Sequence, residues 1–234
     1  MRILALDTAT EACSVALLQQ VPPQPPQTWV RDLPPGPGHS AHILSLVQGV
    51  LEDASTGLHE LDCIAFGRGP GGFTGVRLAA SVTQGLAFGA RLPVIPVSDL
   101  LAVAQQALDL APAAQGVVIC NDARMQEVYF GYAARGSDGL AVPVGEEGVG
   151  RPDAVRLPPG LPAPILGAGR GFAVWHGLQE RLGARLSAVH DSLLPRAQEI
   201  ARLAVPRWFA GQAVSPDQAQ PVYLRNDVAR PSRN

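Results

Sequence analysis

Apolar residues along this chain come first in short runs and then in a spaced stripe. Residues 2 to 7 (Arg-Ile-Leu-Ala-Leu-Asp) form an apolar run closed by an acid, and 12 to 18 (Ala-Cys-Ser-Val-Ala-Leu-Leu) form a second, which predicts two strands. Four of the six residues from Val21 to Pro26 are proline, a loop signal, and Gln27 to Asp32 reads as a third strand completing a meander. From Ser40 the spacing changes. Ile43, Leu44, Val47, Val50, Leu51 and Ala54 recur at three and four residues, the period of an amphipathic helix. Asp62 to Phe66 is the next strand. The loop Gly67-Arg-Gly-Pro-Gly-Gly-Phe-Thr-Gly75 follows it, and Thr74 is a natural N-cap for the uncharged helix behind. Pro93 to Val97 predicts a strand, and Ser98 or Asp99 a cap for a helix running to about Ala107.

The order then restarts. Gly116 to Asp122 mirrors the opening strand that ends in Asp7, and a shift of 115 residues lays Leu4 to Val15 over Ile119 to Phe130. Both stretches read strand, Asp, turn, strand, so the chain looks like a duplicated β-β-β-α-β-α unit, with chance pairing as the alternative. The expected fold class is α/β in two lobes: residues 1–108, to which a tail at 216–234 returns, and residues 109–215. Residues 152–164 hold five prolines and predict a surface loop. A short strand at Pro164 to Leu166 and a helix from Leu194 to Phe209 follow, and the tail from Pro221 carries Arg225, Arg230 and Arg233.

Composition narrows the chemistry. The 234 residues are 47% hydrophobic and 16% charged with a formal charge of −2, so the chain reads as globular without overall attraction for a phosphate backbone. All 18 basic residues are arginine. Without lysine there is no Schiff-base chemistry and no P-loop of the G-x-x-x-x-G-K type. Cys13, Cys63 and Cys120 sit in apolar runs with no C-x-x-C spacing and predict core residues of a reducing compartment. The N-terminal apolar run meets Asp7 too early for a signal peptide. The longest uncharged helical stretch, Leu78 to Ala90, has 13 residues, too few to span a bilayer. The expectation is a cytoplasmic protein with no membrane contact.

Four places are candidate sites. The Gly67–Gly75 loop, between strand and helix, offers backbone N–H groups from Gly69, Gly71 and Gly72 to a nucleotide phosphate or other anion; the alternative is a tight turn that lets the helix pack closely. Asp7, at the end of the first strand, stands where open sheets bind ligands and where a carboxylate could hold hydrated Mg²⁺; the alternative is an ordinary turn acid, and Asp122 is its repeat partner. His39 and His42 share a helical face, but no third metal ligand is near, so a solvent-facing pair is the better reading and no metal is expected. Ile43, Val47, Val50 and Leu51 on one helix, with Val76, Ala79, Ala80 and Thr83 on the other, make apolar and small-residue faces suited to a helix-on-helix subunit junction, the alternative being burial within their own fold.

Met1 to Leu17, Gly67 to Arg77, Asp122 to Tyr129 (Asp-Ala-Arg-Met-Gln-Glu-Val-Tyr) and Pro221 to Asn226 (Pro-Val-Tyr-Leu-Arg-Asn) together resemble the signatures of the bacterial TsaB (YeaZ) family. They run from one end of the chain to the other, with 135–215 less distinctive. The resemblance implies an actin/Hsp70-like (ASKHA) two-lobed fold and a paralogue, TsaD, that transfers a threonylcarbamoyl group to N6 of adenosine 37 in tRNA. TsaD holds its metal with an H-x-x-x-H pair, where this chain has Asp99 and Val103. Valine cannot ligate a metal and one carboxylate cannot hold it alone. The implied role is therefore a non-catalytic scaffold without a cofactor, binding TsaD and with it the ATPase TsaE, supplied by the adenylate-forming enzyme TsaC, meeting tRNA mainly through TsaD, and forming a homodimer when alone. Competing readings are an ATP-dependent phosphotransferase of the actin-like superfamily, a metalloprotease as older family naming has it, and direct tRNA contact through the arginine tail.

Overall fold

The computed structural model describes residues 1–33 and 39–225, the side chains of 39–41 excepted. The first half forms a five-stranded sheet from β1 (Arg2–Asp7), β2 (Cys13–Gln19), β3 (Gln27–Leu33), β4 (Cys63–Gly67) and β5 (Val94–Val97), in the order β3-β2-β1-β4-β5. β1, β2 and β3 are an antiparallel meander, while β4 and β5 run parallel to β1. Parallel neighbours need crossovers. These are α1 (His39–Asp53) and α2 (Phe73–Ala90), and α3 (Asp99–Leu110) leaves the sheet after β5.

The second half repeats the plan. β6 (Gly116–Asp122), β7 (Val128–Arg135), β8 (Ala141–Pro143), β10 (Ile165–Ala168) and β11 (Ala188–His190) lie in the order β8-β7-β6-β10-β11, with β9 (Gly148–Gly150) paired to β7. Again the first three strands are antiparallel and the last two parallel to β6. α4 (Gly171–Val174) and α5 (His176–Leu182) connect β10 to β11, and α6 (Ala197–Phe209) ends the repeat. This is the actin/Hsp70-like fold. The repeating unit is one strand and one helix longer than the β-β-β-α-β-α expected, because β5 and α3 belong to it. The counterpart of α1 is missing: residues 151–164, with their prolines, form a single 3₁₀ turn and irregular chain, since proline within a helix removes a donor and clashes with the preceding turn.

Alternation along the strands sorts the core into three layers. Ile3 and Ala5 of β1, with Val117 and Ile119 of β6, point to a central core shared by both sheets, whereas Leu4 and Leu6 face an outer core with α1 and α2. Val118 and Cys120 face a third core with Phe172, Leu178 and Leu182. The central layer is built from α3 and α6, and they are exchanged between halves. α3 packs on β6, β7 and β8; α6 packs on β1, β2, β4 and β5. Ten of the twelve residues of α3 are buried, which a helix lying between two sheets requires.

Caps differ from expectation in one place. Ser98 caps α3, its Oγ accepting from Leu101 N–H at 3.2 Å, but α2 starts at Phe73 behind Gly72, not behind Thr74, and has no side-chain cap. The three cysteines are free and buried, and burial pushes the Cys63 thiol up to about 12. No helix among the described residues is long and apolar enough to cross a membrane.

Candidate functional site

A cleft of about 560 Å³ opens between the two halves. One wall is the β1–β2 turn at Ala9 to Glu11 with Gly71 to Phe73; the other is Asn121 to Arg124 with Arg170. Glu11 and Arg170 form an ion pair across it. The C-terminal segment crosses the mouth. Val222 N–H donates to Arg68 O at 2.7 Å on one side, and Arg225 donates to Ala123 O at 3.2 Å and to the Glu127 carboxylate on the other. Tyr223 lies 6.2 Å from Phe73, with the Arg77 guanidinium 3.2 Å above the Phe73 ring. Arg225 thereby braces a turn in which Arg124, Met125 and Gln126 all have φ between 52° and 61°, a left-handed conformation costly for residues other than glycine.

Asp7 and Asp122 are matched as the duplication requires. Asp7 Oδ1 accepts from Ala9 N–H at 2.8 Å and Asp122 Oδ1 from Arg124 N–H at 3.0 Å, the same two-residue turn in each half. Asp122 reaches the cleft. Asp7 does not: it is 1% exposed and faces Asp99, which is 0% exposed at the start of α3. Burial raises the Asp7 carboxyl from 3.8 to about 6 and moves Asp99 well above the usual range, the second acid adding to the shift of Asp99. Asp7, expected as a candidate nucleotide or anion residue, thus lies sealed beside another acid and off the cleft lining, with its Oδ1 engaged in the turn.

The glycine-rich loop is tied down in the same way. Gly69, at φ +98°, donates its N–H to Asp99 Oδ2, and Gly72 N–H donates to Ala9 O at 2.7 Å. Two of the three glycines expected to bind an anion thus have their donors engaged inside the fold; Gly71 lines the cleft but backs onto Ala9. Gly75 lies against the Thr8 carbonyl, where a Cβ has no room, and Thr8 Oγ1 donates to Gly75 O at 2.7 Å. Close packing of α2 on the β1–β2 turn is what these glycines do.

The eight residues expected at a subunit junction point inward, with one exception. Ile43, Val47, Val50, Val76, Ala79, Ala80 and Thr83 are buried, most of them in the outer core of their own sheet, and Leu51 is half-buried against it. The apolar stripe of a surface helix covers the sheet beneath. The free faces of these helices carry other residues: Leu44 (58% exposed) on α1, and Ser81, Gly85, Phe88 (81% exposed) and Gly89 on α2. A second groove, of about 520 Å³, runs between Leu44, Leu51 and Leu86.

Asp99 and Val103, which the family resemblance sets against the metal pair of TsaD, are both fully buried, Val103 in the central core. Among the described residues no three His, Cys, Asp or Glu converge as a metal set. His42 is exposed, while the His39 side chain, Arg230 and Arg233 lie outside the described residues. No sequence signal pointed to Asn121, 7% exposed in the cleft wall with its Oδ1 lacking a donor, nor to the Glu11–Arg170 pair, whose partners are 159 residues apart. The strand pattern around Asn121 marks it only as a β6 residue.

Comparison with known proteins agrees with this architecture. A family model described as TsaD, tRNA N6-adenosine threonylcarbamoyltransferase, matches residues 36–147. The tRNA threonylcarbamoyladenosine biosynthesis protein TsaB of Escherichia coli K12 is 39% identical over 232 residues, 98% of this chain and 96% of the relative. The protein of that name from Haemophilus influenzae is 39% identical over 238 residues, 97% and 95% of the two chains. The solved structure of YeaZ from Pseudomonas aeruginosa superposes with a TM-score of 0.81 at 40% identity, covering 95% of this chain and 99% of that one.

Proposed function

Because this chain belongs to the TsaB family of tRNA threonylcarbamoyladenosine biosynthesis proteins, we propose that it serves that modification as a non-catalytic subunit, a scaffold that binds TsaD. The observation that carries the reading is the state of Asp99 and Val103: the positions that hold metal in the paralogue are sealed in the core here, one facing Asp7 and the other apolar neighbours. Transfer chemistry then belongs to TsaD, with TsaE as a further member of the complex and tRNA held mainly by TsaD. The outer face of α1 and α2 supports a helix-on-helix junction, since Leu44 and Phe88 stand out from it while Ser81, Gly85 and Gly89 let a partner helix approach closely. The same face serves a homodimer when TsaD is absent.

The deciding experiment is reconstitution. The purified chain alone is expected to transfer nothing to tRNA, and to co-purify with TsaD as a stable complex whose transfer activity depends on this chain. Transfer by the chain alone, or a TsaD that neither binds it nor needs it, would overturn the proposal.

A further inference from the structure

The Asp7–Asp99 pair is left without a task by the scaffold reading, and its surroundings are unusual. The two carboxyls are 1% and 0% exposed and face each other, yet Asp7 Oδ2 and Asp99 Oδ1 have no hydrogen-bond donor. They crowd one point from two elements: a Cβ built on Gly67 would meet both, Asp7 Oδ1 at 2.7 Å. Few charges surround them. Arg68, at the end of β4, donates to Glu147 at 3.1 Å and lies near Arg207. Cys13, across the β1–β2 turn, has its thiol held up to about 11 by burial first and by Asp7 second. β5 has no ionisable residue, and Arg77 of α2 is on the exposed face. Two like charges in contact in so dry a place cannot both ionise at neutral pH.

We propose that Asp7 and Asp99 share a single proton at neutral pH, and that this proton pins the glycine-rich loop to the β1–β2 turn. Protonated, one acid donates to the other and both orphaned oxygens are reconciled. Each acid also grips a different part of the cleft wall. Asp7 accepts from Ala9 N–H, Asp99 accepts from Gly69 N–H, and Gly69 O accepts from Asp99 N–H at 3.2 Å. Loss of the proton to solvent leaves two buried anions in contact, and the repulsion is relieved only by parting β1 from the start of α3. That movement carries Gly69 to Gly72 away from Ala9 and widens the cleft floor. The device responds to rising pH, because burial and the facing acid hold the last proton well above the usual carboxylate range.

Two measurements on the wild-type protein test it. Infrared difference spectroscopy at pH 7.5 is expected to show a protonated carboxylic acid that is absent from Asp99→Asn, whose amide supplies the donor permanently. Amide exchange across 68–75 is expected to accelerate as pH rises above neutrality by more than the intrinsic tenfold per pH unit, and Asp99→Asn to remove the excess. A wild-type spectrum with no protonated carboxyl at pH 7.5 overturns the shared proton. The band present with loop exchange following only the intrinsic dependence overturns the pinning. Both outcomes are measured on the wild-type chain, so they hold even if the Asn variant fails to fold.

Discussion

Gly75 sets its α-carbon so near the Thr8 carbonyl that any side chain would collide with backbone, which cannot yield as a flexible side chain can. Gly75→Ala is therefore expected to lower stability by about 1–3 kcal/mol, the range for forcing extra volume into a packed site; Gly85→Ala, where the added methyl meets nothing within 4 Å, should raise it slightly through helix propensity. Urea denaturation of the two variants beside the wild type checks both signs. At the same scale the Asp7 carboxyl makes stability depend on pH in the direction opposite to most acids. Its folded value is raised from 3.8 to about 6, so the folded chain holds a proton that the unfolded chain has released. The contribution is fully present below about pH 4 and is lost as pH rises through about 6. Compared with Asp7→Asn, the wild type should lose stability between pH 4 and pH 7, and parallel pH curves for the two proteins would contradict the assignment.

Helices α1 and α2 show how an element's two faces separate stability from binding. Val47→Glu and Ala79→Glu put a carboxylate among Leu4, Leu6 and Phe66, and should cost about 4 kcal/mol or more and shift the melting temperature before any partner is added. Leu44→Glu and Phe88→Glu lie on the free face and should leave melting unchanged within about 0.5 kcal/mol. In the proposed junction they would bury an unpaired charge, weakening association with TsaD by about two to three decades. Unchanged affinity in calorimetry for both outer variants would move the junction elsewhere. The same two faces explain what the sequence could reveal. The three- and four-residue period located α1 correctly because burying Ile43, Val47 and Val50 is worth about 1.5–3 kcal/mol each and imposes the pattern. That pattern marks the inward face, so an interface read from it falls on residues already covered. β11, α4 and α5 escaped because each is short, and an element of three to seven residues barely repeats its period. Asp99 was legible as a cap position; that it meets Asp7, 92 residues earlier, depends on how β1 and α3 converge, which no local pattern encodes.

At the scale of the whole molecule the two halves cannot act as independent domains, because the central layer belongs to both. The Arg68–Glu147 and Glu11–Arg170 pairs are partly exposed and add at most about 1 kcal/mol each; the shared core holds the halves together. Trp29 on β3, Trp175 between α4 and α5, and Trp208 on α6 report from three different layers. Tryptophan fluorescence and far-ultraviolet circular dichroism should follow one coincident transition in urea, whereas a fluorescence change preceding loss of secondary structure would mean separable lobes. Residues 1–110 expressed alone should give no folded monomer, since the sheet face that α6 covers would be bare and α3 would have nothing to lie on. The exchange of α3 and α6 also bears on descent. If one gene segment was copied to make this chain, its single-repeat product had the same bare sheet and the same unaccommodated last helix. Two copies trading that helix would cover both, so the same exchange made between molecules would be a domain-swapped homodimer, and a tandem fusion would turn it into an exchange within one molecule.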